Sequence, residues 1–335
     1  MKFSTSALLL LASTTASLAK NILMSNDDGW ATANIRAFYY KLKEAGHNVY
    51  IVAPVTDMSG HGGQFDLPES STLETDGEYG YPAAGAPMYG HEVDDDHVFY
   101  FNGTPASCVA FALDYILPTY ADNITIDMVV AGINYFQNYG GYFSLSGTMG
   151  ATIEAVYRGY PAIAFSAWSW NNTFYKDGLD LNDNLLESTI VAEKATELVN
   201  QIFESQGENP RAMGLGVGLN VNFPAVGYDN ESCTNPNWVF TRIAGSGAKG
   251  AELVFDEKTQ TVGWADDRLE EGMQPCYNGD CTLPTENFIL GQNLCNATIS
   301  AFSVDWDANL VLTEQAKALV QPLLGWGYMH RYIGT

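Results

Sequence analysis

Asn26-Asp27-Asp28-Gly29 directly follows the short apolar run Ile22-Leu23-Met24 and its Ser25. Two adjacent aspartates at the end of a strand repel each other, and each raises the other's pKa. A bound cation is the usual compensation. In open α/β sheets the carboxyl ends of strands are also where ligands bind. Type and position together point to a metal site at the top of a first strand. A polar turn is the plainer alternative, since Asn, Asp and Gly are ordinary turn residues.

Other segments supply matching chemistry. Ala53-Pro54 ends a second apolar run and leads to Met58-Ser59-Gly60. Ala131-Gly132-Ile133-Asn134 ends a third, followed by Asn138 and by Ser146-Gly147-Thr148, which opens a helix-like stretch. Two carboxylates, a serine hydroxyl and an asparagine amide oxygen form an all-oxygen set. That set suits Mg²⁺ or Mn²⁺ and suits zinc poorly. Backbone N–H groups and hydroxyls at a helix start make a phosphate cradle. A hard cation beside such a cradle means phosphoryl chemistry. Of the five histidines (His47, His61, His91, His97, His330), only His61 falls near these residues, as a general acid or as a plain loop residue. A serine hydrolase is disfavoured, because Gly245-Ser246-Gly247 lacks the Gly-x-Ser-x-Gly spacing.

Alternating short apolar runs and helical patterns must position these groups. Strands are expected at Asn21–Ser25, Asn48–Ala53, Val98–Asn102, Met128–Ala131, Ala162–Ser166 and Leu215–Phe223. Helices are expected at Ala33–Ala45, Thr104–Leu117, Thr148–Arg158, 185–204 and 313–325. Such alternation implies βαβ units, right-handed crossovers and a parallel sheet. The expected fold is α/β: a Rossmann-like three-layer fold, mainly parallel, with an elaborated C-terminal hairpin and tail region. Gly60–His97 breaks the rhythm and reads as a loop or short hairpin excursion, with Asp94-Asp95-Asp96 as a solvated turn. From about 225 to 300 the chain is turn-rich, with β-like runs at Trp238–Ile243 and Glu252–Phe255. One α/β domain over 20–335, elaborated from about 225, is expected.

Residues 1–19 read as a secretory signal: Lys2, an apolar Ala7–Ala12 core and a small-residue site at Ser17-Leu18-Ala19. A secreted, extracellular protein is therefore expected, without a membrane partner. Sequons at Asn102, Asn123, Asn171, Asn230 and Asn296 fit export. The net charge of −24 argues against a nucleic-acid polymer as partner, because phosphate backbones require Lys and Arg. Cys108 stands alone beside an apolar run and reads as a buried free thiol. Cys233, Cys276, Cys281 and Cys295 read as two disulfides of open connectivity, with a zinc site as the alternative.

The ordered set of motifs resembles the SurE family of metal-dependent nucleotidases and acid phosphatases. The carrying segments are Asn26-Asp27-Asp28-Gly29, Val52-Ala53-Pro54 with Ser59-Gly60, Gly103-Thr104-Pro105-Ala106-Ser107-Cys108, Gly132-Ile133-Asn134 with Asn138, and Ser146-Gly147-Thr148. Weaker echoes lie at Pro161–Ser166, Leu219–Pro224 and Ile299–Asp305. The resemblance implies divalent-metal ligands at Asp27, Asp28, Ser59 and Asn134. It implies phosphate or substrate contacts at Asn26, Asn138, Ser146, Gly147 and Thr148, with Asp27 and Asp28 catalytic. It further implies a divalent cation cofactor (Mn²⁺ or Mg²⁺), a small phosphorylated substrate, and a homodimer or homotetramer. Either an aspartate-oriented water or an aspartate itself would attack phosphorus. A secreted nucleotide- or carbohydrate-binding protein that has lost turnover is the rival, marked by chelator-insensitive binding. Ala131 and Phe136 depart from the Ser and Gly of many members, and Tyr139–Leu145 carries no acid. Tyr135, Phe136, Tyr139, Tyr142, Phe143, Trp168 and Trp170 would stack on a planar leaving group, or pack the core or an interface.

Overall fold

Ile22, Leu23 and Met24 are wholly buried in β1 (Asn21–Ser25), which lies in the middle of a nine-stranded sheet. The structure is a computed structural model and describes residues 19–169, 172–243, 253–264, 282–305 and 310–320. Several expectations fall outside the described residues: almost all of the signal segment, Trp170, the Asn171 sequon, Gly245-Ser246-Gly247, Cys276, Cys281, His330 and the end of the 313–325 helix.

The chain divides into two compact units, one running to Phe302 and one from Ser303. In the larger unit β1 is followed by α1 (Ala33–Glu44) and β2 (Asn48–Pro54). The excursion then returns through β3 (Tyr89–Glu92) and β4 (Asp95–Phe101), paired antiparallel, so it does contain a hairpin. Next come α2 (Pro105–Phe111), a π-helical turn (Ala112–Ile116), α3 (Leu117–Tyr120) and β5 (Met128–Asn134). Then follow α4 (Gly147–Tyr157), β6 (Ala162–Ala167), α5 (Tyr175–Gly178), α6 (Glu187–Gln206) and β7 (Val217–Phe223). The sequence from 225 holds β8 (Asn237–Thr241), a separate antiparallel pair β9 (Leu253–Asp256) and β10 (Thr261–Trp264), α7 (Glu286–Leu290) and β11 (Asn296–Ser303). The smaller unit contains α8 (Leu310–Val320).

The sheet order is β3-β4-β2-β1-β5-β6-β7-β11-β8. Pairs β4–β2, β2–β1, β1–β5, β5–β6, β6–β7 and β11–β8 are parallel. The chain builds outward from β1 on one side, then crosses back to build the other side. The reversal falls between β1 and β5, where such sheets open a crevice at their carboxyl ends. β1 and β5 are covered on both faces, which is why they read as continuous apolar runs. Helices α1 and α6 pack together, as do α2 and α4. Among the described residues no helix is long and apolar enough to cross a membrane.

Two expectations need adjustment. Asp95 is not simply solvated in a turn: it starts β4, accepts a 2.7 Å hydrogen bond from Tyr39 Oη, and lies 3.4 Å from Lys43 Nζ. β11 and α7 lie within the stretch read as turn-rich. Cys233 and Cys295 form a disulfide with Cα atoms 5.3 Å apart, and Cys108 is buried and free, its thiol pushed well up by burial.

Candidate active site

The turn after β1 is both a turn and a cluster of ligating groups. Gly29 takes φ +103°, and Asn26 Nδ2 closes the turn by donating to Gly29 O at 3.0 Å. This buries Asn26, Asp27 and Asp28 at the switch-point crevice. Each neighbouring loop is tied to them. Met58 N donates to Asp27 O at 2.7 Å, bringing in the loop after β2. Tyr135 N donates to Asp28 Oδ2 at 3.2 Å, bringing in the loop after β5. Gly147 N donates to Asp27 Oδ2 at 3.1 Å, and Thr148 Oγ1 donates to Asp27 Oδ1.

Gly147 must be glycine for this approach. A Cβ there would lie 2.7 Å from Asp27 Cβ, closer than real contacts allow. Gly132 is constrained likewise, at φ +115° with a would-be Cβ 2.2 Å from Phe165 O.

Burial pushes the Asp27 carboxyl up, partly offset by Thr148. Burial pushes Asp28 well above the carboxylate range, with Asp27 and Asp57 adding repulsion. Among the described residues neither carboxylate forms an ion pair. Asp28 Oδ1, Asn134 Oδ1 and Asn26 Oδ1 are buried without a hydrogen-bond donor. An unsatisfied buried acceptor costs about 1–3 kcal/mol. Orphaned oxygens beside a like-charged pair fit a hard divalent cation. Among the described residues no three His, Cys, Asp or Glu side chains gather as a metal-holding group, so Ser and Asn oxygens would have to complete the set.

The remaining expected residues are placed as follows. Ser59 is exposed at the rim, its N–H donating to Asp57 Oδ1 at 2.7 Å and its side chain hydrogen-bonded to Tyr135. Asn134 Nδ2 donates to Phe136 O. Ser146 Oγ caps α4 by accepting from Met149 N at 3.1 Å. Asn138 Nδ2 donates to Ser166 Oγ at 2.9 Å. His61 is exposed, with Nδ1 2.9 Å from Met58 O. Sequence reasoning missed Asp57 and Glu78, whose charges reach Asp28. For Asp57 the signal was Asp-x-Ser-Gly directly beyond a strand; Glu78 sits inside the excursion and had none.

A family model described as Survival protein SurE matches residues 22–247. The chain belongs to the SurE family. An acid phosphatase of Yarrowia lipolytica (strain CLIB 122 / E 150) is 40% identical over 97% of this chain and 96% of its own length. A 5′-nucleotidase SurE of Synechocystis sp. (strain ATCC 27184 / PCC 6803 / Kazusa) is 32% identical over 78% of this chain and 82% of its own. The crystal structure of the Sure protein from Aquifex aeolicus superposes with a TM-score of 0.59 at 21% identity, covering 89% of this chain and 99% of that one, a likeness of fold.

Against the SurE pattern, this chain's aromatic loop is packed on itself. Phe136 lies against Tyr142 and Trp168 with ring centroids 5.8 and 6.0 Å apart. Tyr139 is buried against Tyr142, and Phe143 packs on Phe302. Tyr135 is the aromatic that reaches the carboxylates, through its backbone N–H.

Proposed function

We propose that this SurE-family chain is an exported, divalent-metal-dependent phosphomonoesterase acting on nucleoside monophosphates or other phosphate monoesters. The observation that carries the reading is the buried, unpaired Asp27–Asp28 couple with orphaned oxygens of Asp28, Asn134 and Asn26 beside it. Asp27, Asp28, Ser59 and Asn134 would hold the cation. When bound, Mn²⁺ or Mg²⁺ neutralises the carboxylates and stabilises the charge on the equatorial oxygens of an in-line displacement.

This chain's own groups do the rest. Gly147 N and Thr148 Oγ1 fix the orientation of Asp27. Asp27 or Asp28 takes the proton of an attacking water, or attacks phosphorus itself to give an aspartyl phosphate. Ser146, Gly147, Thr148, Asn26 and Asn138 cradle the phosphate at the N-terminal end of α4. His61, exposed at the rim, protonates the leaving oxygen.

The test is phosphate release from 5′-AMP, 3′-AMP and p-nitrophenyl phosphate across acidic to neutral pH, with Mn²⁺, Mg²⁺ or EDTA. Metal-dependent release is expected. No release from folded, metal-loaded protein would overturn the reading.

A further inference from the structure

Asn134 ends β5, paired with Ser166 of β6, and the chain beyond it leaves the sheet. Ser169 N still donates to Tyr135 O at 3.1 Å, and at Asn138 two side chains of β7 hold the loop. Asn220 and Asn222, two apart and thus on one face of the strand, both reach the Asn138 backbone. Asn220 Nδ2 donates to Asn138 O at 2.8 Å, Asn222 Nδ2 donates to the same oxygen at 3.2 Å, and Asn138 N donates to Asn222 Oδ1 at 2.7 Å. Asn138 then passes the constraint on through Nδ2 to Ser166 Oγ.

Asn220 has a weakness. Its Oδ1 is buried without a donor, so nothing on the oxygen side sets which way the amide faces. The nitrogen side is set by Glu286, whose Oε1 and Oε2 lie 3.0 and 3.3 Å from Asn220 Nδ2.

Glu286 is itself rigidly placed. It is completely buried, the first residue of α7, and its N–H donates to Arg242 O at 3.0 Å. Its side chain also hydrogen-bonds Asn222 and Ser300, and Ser300 Oγ is 2.7 Å from Thr241 Oγ1. Thus β8, β11 and α7 all anchor one carboxyl. The next residue, Asn287, packs its amide against Gly140, where a Cβ would lie 3.1 Å away.

We propose that Glu286 is a positioning residue: through Asn220 and Asn222 it fixes the Asn138 backbone and hence the loop that follows Asn134 and carries Tyr135 to Asp28. Glu286 lies beyond residue 247, where the family-model match ends. The C-terminal elaboration is therefore part of what shapes the site. Burial pushes this carboxyl well up, and among the described residues it forms no ion pair. A neutral amide of the same shape should therefore substitute for it.

The turnover readout rests on the phosphomonoesterase reading; a second readout does not. Glu286→Leu keeps the volume and removes both acceptors, whereas Glu286→Gln keeps an acceptor. Glu286→Leu is expected to lower kcat about tenfold or more, since small misplacements of reacting groups cost that much. It should also speed amide hydrogen exchange over 135–138 while thermal unfolding stays cooperative. Glu286→Gln is expected to retain kcat within about threefold and exchange as the wild type does. A folded Glu286→Leu protein with wild-type kcat and wild-type exchange would overturn the proposal, as would Glu286→Gln failing as badly as Leu. If Glu286→Leu does not fold, Ser300→Ala removes a partner of the carboxyl without touching the loop. Faster exchange over 135–138 supports the proposal, and unchanged exchange overturns it. A wild-type protein without phosphate release would remove the phosphatase reading alone, leaving the exchange result to decide the role of Glu286.

Discussion

At the scale of single residues, the site is built from groups that are unfavourable as the protein folds without metal. Asp28 has one oxygen on Tyr135 N and the other on nothing, next to a second buried carboxylate. Asp28→Asn removes the repulsion while keeping an oxygen for Tyr135 N. We expect it to leave the melting temperature of EDTA-treated protein unchanged or raised, because a buried acid beside a second buried acid is replaced by a neutral amide. The same substitution should cut kcat by about a hundredfold or more, as loss of a group stabilising transition-state charge does. Turnover with normal metal dependence would remove Asp28 from the ligand set. Asp27 and Asp28 were legible in the sequence because adjacent like charges at a strand end demand an explanation. Glu286 was not. In the sequence it is one glutamate in a turn-rich stretch, and only its burial against Asn220 gives it meaning.

At the scale of elements, α6 begins with an acid that should respond to pH. Glu187 is pushed up to about 8, chiefly by burial, with Asp229 adding and Ser169 opposing. The unfolded chain ionises this group near 4.5, so it gives up the proton first. The stability due to the neutral form is thus whole below that range and is lost as pH climbs toward about 8. Each pH unit across the window is worth about 1.4 kcal/mol for a complete shift. Glu187→Gln should therefore raise thermal stability at about pH 7.5 and leave it unchanged at about pH 4, as thermal melts at both would register. An equal effect at both pH values would mean that Glu187 titrates normally in the fold. Most strands and helices up to β7 followed from their apolar periodicity, with ends displaced by a few residues, but α5 is too short to show a period and the helix expected at Thr104–Leu117 is interrupted by the π-helical turn Ala112–Ile116. β4 starts three residues earlier than expected because the acidic Asp95 is stabilised by Tyr39 and Lys43 rather than by water alone. β11 was missed because Asn296–Ser303 mixes Thr, Ser and Ala with few large apolar residues. α7 has only five residues, too few to show a period.

At the scale of the whole molecule, ion pairs such as Arg36–Glu92 and Lys41–Glu193 join parts far apart in sequence, and covalent chemistry adds a further link. Cys233–Cys295 spans a sequence separation of 62 residues. Closing such a loop in the unfolded chain is worth about 2–4 kcal/mol. A Cys233→Ala, Cys295→Ala protein should lose about that much in denaturant unfolding, most of it recovered by neither added metal nor neutral pH. Undiminished stability would show that β8 and β11 hold without the bond. The cysteines announced disulfide chemistry, but spacing could not choose the pairing, because it takes the fold to place Cys233 beside Cys295. The strand order has a consequence in time. Asp27 is made first, while its partners Gly147 and Thr148 follow 120 and 121 residues later. At synthesis rates of about 5–20 residues per second, that delay is roughly 6–24 s. During it the two carboxylates remain hydrated and β1 lacks β5 as a neighbour. β1 is thus made before every other strand of the sheet yet waits for β5, and the Asp27 carboxyl meets its hydrogen-bond donors only once Gly147 and Thr148 have been made.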